Sequence, residues 1–295
     1  MTNYNNHILV PIDFSEQSLI ALEQSYNLAR LTMADITLLY VMDEEHKNFF
    51  SVFGKVRREA EEKKYERGIK TKLKTLSEET QAKAGVTVKV MIKTGKIYDE
   101  IIAVATELNA AFIIMGTNGQ VGLKKKFIGT NALRVVKEAH CPVITIKGKN
   151  HRTGCKIIVL PLDFSQETKE KVGKAIELAN YFGSAINLVT IVNTKDEILV
   201  KKMTLQLKQV ESVIKKNKIA VSSEFIEDKN ISEGVLNYAK KVDADLIMIM
   251  TQSEMDWTDL FIGSTAQEII NNSEVPVLSI HPMDRMEESV LPFTF

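Results

Sequence analysis

Short apolar runs alternate along this chain with longer segments whose apolar residues return every three or four positions. The runs His7 to Ile12, Asp35 to Val41, Val86 to Ile92, Ala111 to Met115 and Val143 to Ile146 are rich in Val, Ile and Leu, as buried strands are. Between them, Glu16 to Leu31, Phe50 to Ala84, Tyr98 to Leu108 and Thr130 to Ala139 carry the helical period. Such alternation predicts an α/β fold, a parallel sheet with crossover helices on its faces. Phe112 to Met115 and Leu246 to Met250 are almost wholly apolar, which marks central strands covered on both sides. In the first helix Leu19, Leu22, Tyr26 and Ala29 share one face, and Ser15 is expected to cap its start, with Ser165 in that role later in the chain.

The pattern occurs twice. HILVPIDFS at residues 7–15 returns as IIVLPLDFS at 157–165, so Pro11, Asp13, Phe14 and Ser15 recur at an offset of 150. Near the end of each half, Phe127-Ile-Gly-Thr130 returns as Phe261-Ile-Gly-Ser264, and Cys141-Pro-Val-Ile-Thr-Ile146 as Val275-Pro-Val-Leu-Ser-Ile280, now at an offset of 134. The second copy is therefore 16 residues shorter, and the loss falls between Asp43 and Lys83. A tandem of two units follows, 1–149 and 150–282, bordered by the polar stretch Lys147 to Gly154 and followed by a tail over 283–295 without a counterpart.

A chain of 295 residues supports two such cores. Lys plus Arg and Asp plus Glu are both 38, which argues against nucleic acid or an anionic membrane as partner. The dense basic run Lys124-Lys125-Lys126 sits within a glycine cluster, where it reads as a phosphate neighbour or as plain surface. Cys141 and Cys155 form neither a disulfide framework nor a zinc knuckle, and His7, His46, His140, His151 and His281 lack metal-ligand spacing. No basic start precedes a long apolar stretch at the N-terminus and no run approaches a membrane span, so a reducing, cytoplasmic setting is expected.

Candidate chemistry gathers after the fourth strand. Gly116 and Gly119 allow a sharp turn and a close ligand approach, and Gly129, Thr130 and Asn131 open a helix. The free amides and dipole of a helix start favour an anion by about 0.3 to 2 kcal/mol. Read plainly, the glycines are turn residues and Thr130 is a cap. Neither a Walker A loop nor GxGxxG is present.

Gly116, two residues, Gly119, nine residues, then Gly129-Thr130 resembles the G-x2-G-x9-G-[ST] ATP-binding signature of the universal stress protein family. The opening VPIDFS and closing CPVITI resemble that family's first and last strands, so the likeness covers both halves. It implies two doubly wound five-stranded sheets in the order 3-2-1-4-5, Rossmann-like and adenine nucleotide alpha hydrolase-like, with ATP across the carboxyl ends of strands one and four. Carried over, Pro11, Ile12 and Asp13 border the adenosine, and Val41 contacts adenine. Met115, Gly116 and Gly119 line ribose and phosphates, and Gly129, Thr130, Asn131 and Ala132 hold the phosphate chain, with Mg²⁺ on the phosphates. Asp13 also has the ordinary role of a carboxylate at a helix start, and its recurrence as Asp163 favours that account. Pairing through the last strand of each unit is implied too, as an intrachain pseudo-dimer or a homodimer.

The second half departs from the signature. Met250 stands at the position of Gly116, Ser253 at that of Gly119, and Thr258, Asp259 and Leu260 replace the lysines, so this copy is expected to bind ATP poorly or not at all. Gly263-Ser264 then serves only a helix start. Two functions remain in view: an ATP-binding stress regulator with slow hydrolysis or self-phosphorylation at most, and a nucleotide-independent protein-interaction module built on an intrachain pseudo-dimer of the two halves. An adenylating enzyme lacks its motifs.

Overall fold

The computed structural model describes residues 7–43, 55–117, 128–148, 154–164, 168–251 and 262–281, with side chains in the long second helix described from residue 60 onward. The first copy runs β1 (His7–Pro11), α1 (Glu16–Thr32), β2 (Asp35–Asp43), α2 (Lys55–Ala84), β3 (Val88–Gly95), α3 (Ile97–Glu107), β4 (Phe112–Gly116), α4 (Thr130–Glu138) and β5 (Val143–Ile146). The second runs β6 (Ile157–Pro161), α5 (Thr168–Phe182), β7 (Ala185–Val192), α6 (Glu197–Lys216), β8 (Val221–Glu227), α7 (Ile231–Lys241), β9 (Leu246–Met250), α8 (Ser264–Asn272) and β10 (Val277–Ile280). Two compact units divide the chain, Met1–Val143 and Ile144–Phe295, the division falling inside β5.

Strand order is β3-β2-β1-β4-β5 in one copy and β8-β7-β6-β9-β10 in the other, the doubly wound order implied by the resemblance. Strand β1 pairs in parallel with β2 and β4, as β6 does with β7 and β9. Register repeats as well: Ile8 faces Ile36 and Ile36 faces Val88, while Ile158 faces Ile186 and Ile186 faces Val221. Strand β8 therefore enters at an offset of 133 from β3, and one residue is regained before Ile231. The shortening lies where expected, since α2 has 30 residues and α6 has 20. Phe50 to Gly54, expected to open α2, lie outside the described residues.

The central strands are covered on both faces. Ile8, Leu9 and Val10 of β1 and Phe112, Ile113 and Ile114 of β4 are buried, as are Ile158 to Leu160 of β6 and all of β9. Helix α1 differs from its sequence pattern. Its buried residues are Gln17, Ser18, Ile20, Ala21, Leu22, Ser25, Leu28, Ala29 and Thr32, while Leu19 and Tyr26 are half-buried. The small and hydroxylated residues among them let α1 lie close to β4. Ser25 and Thr32 satisfy their hydroxyls on Leu22 and Leu28 carbonyls one turn back.

The turn from β1 into α1 takes a left-handed residue that is not glycine. Phe14 has φ 61° and its counterpart Phe164 has φ 57°. That conformation costs about 1 to 3 kcal/mol and persists where surroundings over-determine it. In the first copy the Phe14 ring packs 5.7 Å from that of Tyr40, with Lys72 Nζ 5.7 Å above it. Asp13 Oδ1 accepts from the Ser15 N–H at 2.9 Å and hydroxyl at 2.5 Å, and Ser15 Oγ accepts from the Ser18 N–H at 3.2 Å. Ser15 is thus the cap that the sequence predicts, and Ser165 lies outside the described residues. Among the described residues no helix is long and apolar enough to cross a membrane.

Removing this cap has a definite expected effect: Ser15→Ala lowers stability by about 1 to 2 kcal/mol. Urea unfolding measures it, and an unchanged midpoint would contradict the assignment.

Candidate functional site

Parallel pairing brings the predicted residues to one edge of the first sheet. Leu9 lies opposite Ile113, so Pro11 and Met115 come abreast at the strand ends. Pro11 lies opposite Leu39, two residues before Val41, and Asp13 follows in the turn that leaves β1. Ile12 and Met115 are only 3% and 6% exposed, so their side chains belong to the core and they can offer a ligand main chain alone. Pro11, Asp13 and Val41 are half-buried at the rim.

Helix α4 is pinned to that edge by the Gly129 N–H, which donates to the Thr117 carbonyl at 2.7 Å. The first helical bond is Leu133 N–H to Gly129 O at 3.0 Å, leaving the amides of Thr130, Asn131 and Ala132 ahead of it. Gly129 is the N-cap and makes no side-chain bond, and no acidic residue stands in the first turn. Thr130 is therefore the first helical residue, not the cap that a plain reading offered; it is exposed, Asn131 half-buried and Ala132 buried.

Other starts are treated differently. Helices α1, α6 and α7 are capped by the side chains of Ser15, Asp196 and Asn230, and α3, which lacks such a cap, has Asp99 and Glu100 in its first turn. Among the described helix starts with a defined cap, only α4 and its counterpart α8 have neither device.

Gly116 has a reason beyond ligand approach. A Cβ there would stand 2.9 Å from the carbonyl carbon, oxygen and Cβ of Gln17, so the glycine lets the first turn of α1 press against the end of β4. Gln17 itself went unnoticed in the sequence, where a glutamine in a first helical turn reads as surface. It is 6% exposed, and among the described residues its Oε1 has no hydrogen-bonding partner, an acceptor buried beside Gly116. Gly119 and Lys124 to Lys126 lie outside the described residues.

Tyr40 is a second residue the pattern did not expose. It shares a 2.8 Å hydrogen bond with Tyr65 of α2. Burial first, then Tyr65 and the charge of Asp13, hold its phenol well above the ordinary range, so it stays neutral in this rim.

The second copy replaces several of these features. Met250 is buried where Gly116 stands in the first, and Thr251 repeats Thr117. Lys171, at the position of Ala21, is 8% exposed. Its Nζ lies 3.4 Å from the Pro161 carbonyl and 3.8 Å from Asp163 Oδ1, which also accepts from the Thr168 hydroxyl at 3.3 Å.

With that geometry in place, sequence comparison is decisive. The universal stress protein family is matched twice, over residues 5–147 and 154–281. The chain belongs to the universal stress protein family. Its relatives include universal stress proteins MJ0531 and MJ0577 of Methanocaldococcus jannaschii, 32% and 31% identical over 146 and 157 residues. These matches cover 49% and 48% of this chain and 84% and 95% of the relatives, as expected where one unit is matched. A universal stress protein from Archaeoglobus fulgidus superimposes with a TM-score of 0.74 at 20% identity, covering 94% of this chain and 98% of that one. At that identity the likeness establishes the tandem fold.

Cys141 and Cys155 fit a structural role in this family member. Burial pushes both thiols up to about 12, so neither supplies a thiolate near neutrality.

Two outcomes follow. Gly116→Ala destabilises the fold by about 1 to 3 kcal/mol through its clash with Gln17, and an unaltered unfolding midpoint would show that α1 does not press on residue 116. At pH 8 the native chain reacts with a disulfide reagent about tenfold or more slower than free cysteine, whereas equal rates would contradict the protonated state of these half-buried thiols.

Proposed function

We propose that the first copy binds ATP and that this universal stress protein is a nucleotide-responsive stress regulator. The observation that carries the reading is the uncapped start of α4, tied by Gly129 to the end of β4 where strand order reverses. Three amides without a carboxylate in their turn suit a phosphate oxygen, by geometry and by helix dipole. The signature Gly116, Gly119, Gly129-Thr130 supports the same placement. The buried Gln17 Oε1 supplies an acceptor for a donor on the ligand, which fits a nucleoside.

In this reading Pro11, Asp13 and Val41 border the nucleoside, with the main chain of Ile12 and Met115 beneath it. Gly119 accompanies Gly116 beside the phosphates, and Thr130, Asn131 and Ala132 hold the phosphate chain, on which Mg²⁺ rides. Ser15 holds Asp13 through Oδ1, which fixes the carboxylate at the rim as an acceptor for a nucleoside hydroxyl. Occupancy then changes contacts with a protein partner in the cytoplasm. The alternative is a nucleotide-independent protein-interaction module built on an intrachain pseudo-dimer; what favours it is the second copy, where Lys171 and Met250 fill the corresponding edge.

Thr130→Glu separates binding from stability. A carboxylate at this exposed first-turn position favours the helix by about 0.3 to 1 kcal/mol, so the melting temperature holds or rises, while ATP affinity falls by about tenfold or more. Affinity that survives the substitution, measured by titration calorimetry, would remove α4 from the site. The parent chain takes one ATP, and two equivalent sites per chain would refute the asymmetry. Phosphate release from radiolabelled ATP tests turnover.

A further inference from the structure

Lys171 has no precedent in the first copy. It replaces the buried Ala21 on the sheet-facing side of the repeat's first helix. An ammonium taken from water is held only where acceptors meet it. Among them are the Pro161 carbonyl and the Asp163 carboxylate, the counterparts of Pro11 and Asp13.

A nucleoside enters such a rim by donating from its hydroxyl and amino groups to carbonyl and carboxylate oxygens. Lysine carries three donors and no acceptor, so it meets the same oxygens from within the chain. The helix start does not separate the copies, because α8 is as uncapped as α4. Replacement of Gly116 by Met250 removes room, and Lys171 removes acceptors.

We infer that Lys171 is the internal occupant of the second copy's strand-end rim, and that it, not the missing glycine alone, withholds this copy from nucleotides. Asp163 is then a counter-ion and not a ligand contact. This rests on the reading that the first copy takes ATP at the matching edge.

The test titrates ATP by equilibrium dialysis against the full chain and against K171A, M250G and K171A/M250G. One ATP per chain is expected for the parent and both single variants. The double variant takes two, its new site at least about tenfold tighter than any second binding by M250G. A second equivalent in M250G alone, or one equivalent in a double variant that keeps the parent's cooperative melt, overturns the inference.

Lysine acylation read by mass spectrometry decides the matter should the double variant fail to fold. In the parent, Lys171 labels about tenfold or more slower than exposed Lys208, Asp163→Ala lifts that protection, and saturating ATP leaves it unchanged. Labelling of Lys171 at the rate of Lys208, or labelling that ATP alters, overturns the inference. A parent that binds no ATP counts against the first-copy reading. Lys171 is then judged by whether K171A/M250G gains a site that M250G lacks; a gain supports the inference and its absence overturns it.

Discussion

Parallel pairing is the constraint on which this molecule depends. A parallel neighbour can be reached only by a crossover, so every helix that follows a strand begins at the carboxyl edge. Helix starts carry unpaired amides, and a doubly wound sheet therefore collects them on one rim. What distinguishes one start from another is how its amides are satisfied. Helix α1 is closed by Ser15 and Asp13 within its own turn. Helix α4 begins at a glycine that brings no side chain, and its first amides face the rim where β1 and β4 part company in strand order. Fold and site are thus one consequence of topology, with capping chemistry choosing which helix start is left for an anion.

The two copies keep that topology and differ in polar accounting. Both tie the residue that follows their first strand back to the sheet, both hold a phenylalanine in the left-handed region two residues later, and both leave the helix after the fourth strand without a side-chain cap. Leu162 donates to Val189 as Ile12 does to Leu39, at 2.9 and 2.8 Å. Apart from the shortened helix after the second strand, the divergence that bears on the carboxyl edge lies in side chains. One copy has Ala21 and Gly116, and the other has Lys171 and Met250. A backbone frame held by main-chain bonds tolerates such exchange, because the residues replaced contribute little to strand pairing.

Much of this was legible in the sequence, and the reasons are physical. Central strands buried on both faces read as apolar runs, and the duplicated VPIDFS and GT/GS segments fixed the repeat, the strand order and the helix starts through the family they resemble. Ser15 was legible because capping is local. Residues whose role depends on a distant partner were not. Gln17 is buried by β4, Tyr40 acquires its high phenol through Tyr65, and Lys171 meets acceptors ten and eight residues earlier only because a helix folds back over its own strand. The face of α1 was misjudged for a related reason. Close helix–sheet approach selects Ser, Ala and Thr, which carry no strong hydrophobic signal.

Gly116 joins β4 to α1 with no side chain between two main chains. Side chains ordinarily act as cushions, because rotamers can adjust before a backbone has to follow. Here that cushion is missing, so displacement of the polypeptide just past β4 is passed to the first turn of α1 without loss. The edge that gathers the phosphate-facing amides is in this way mechanically stiff toward one particular helix, and whatever touches the outer side of α1 is placed to sense it.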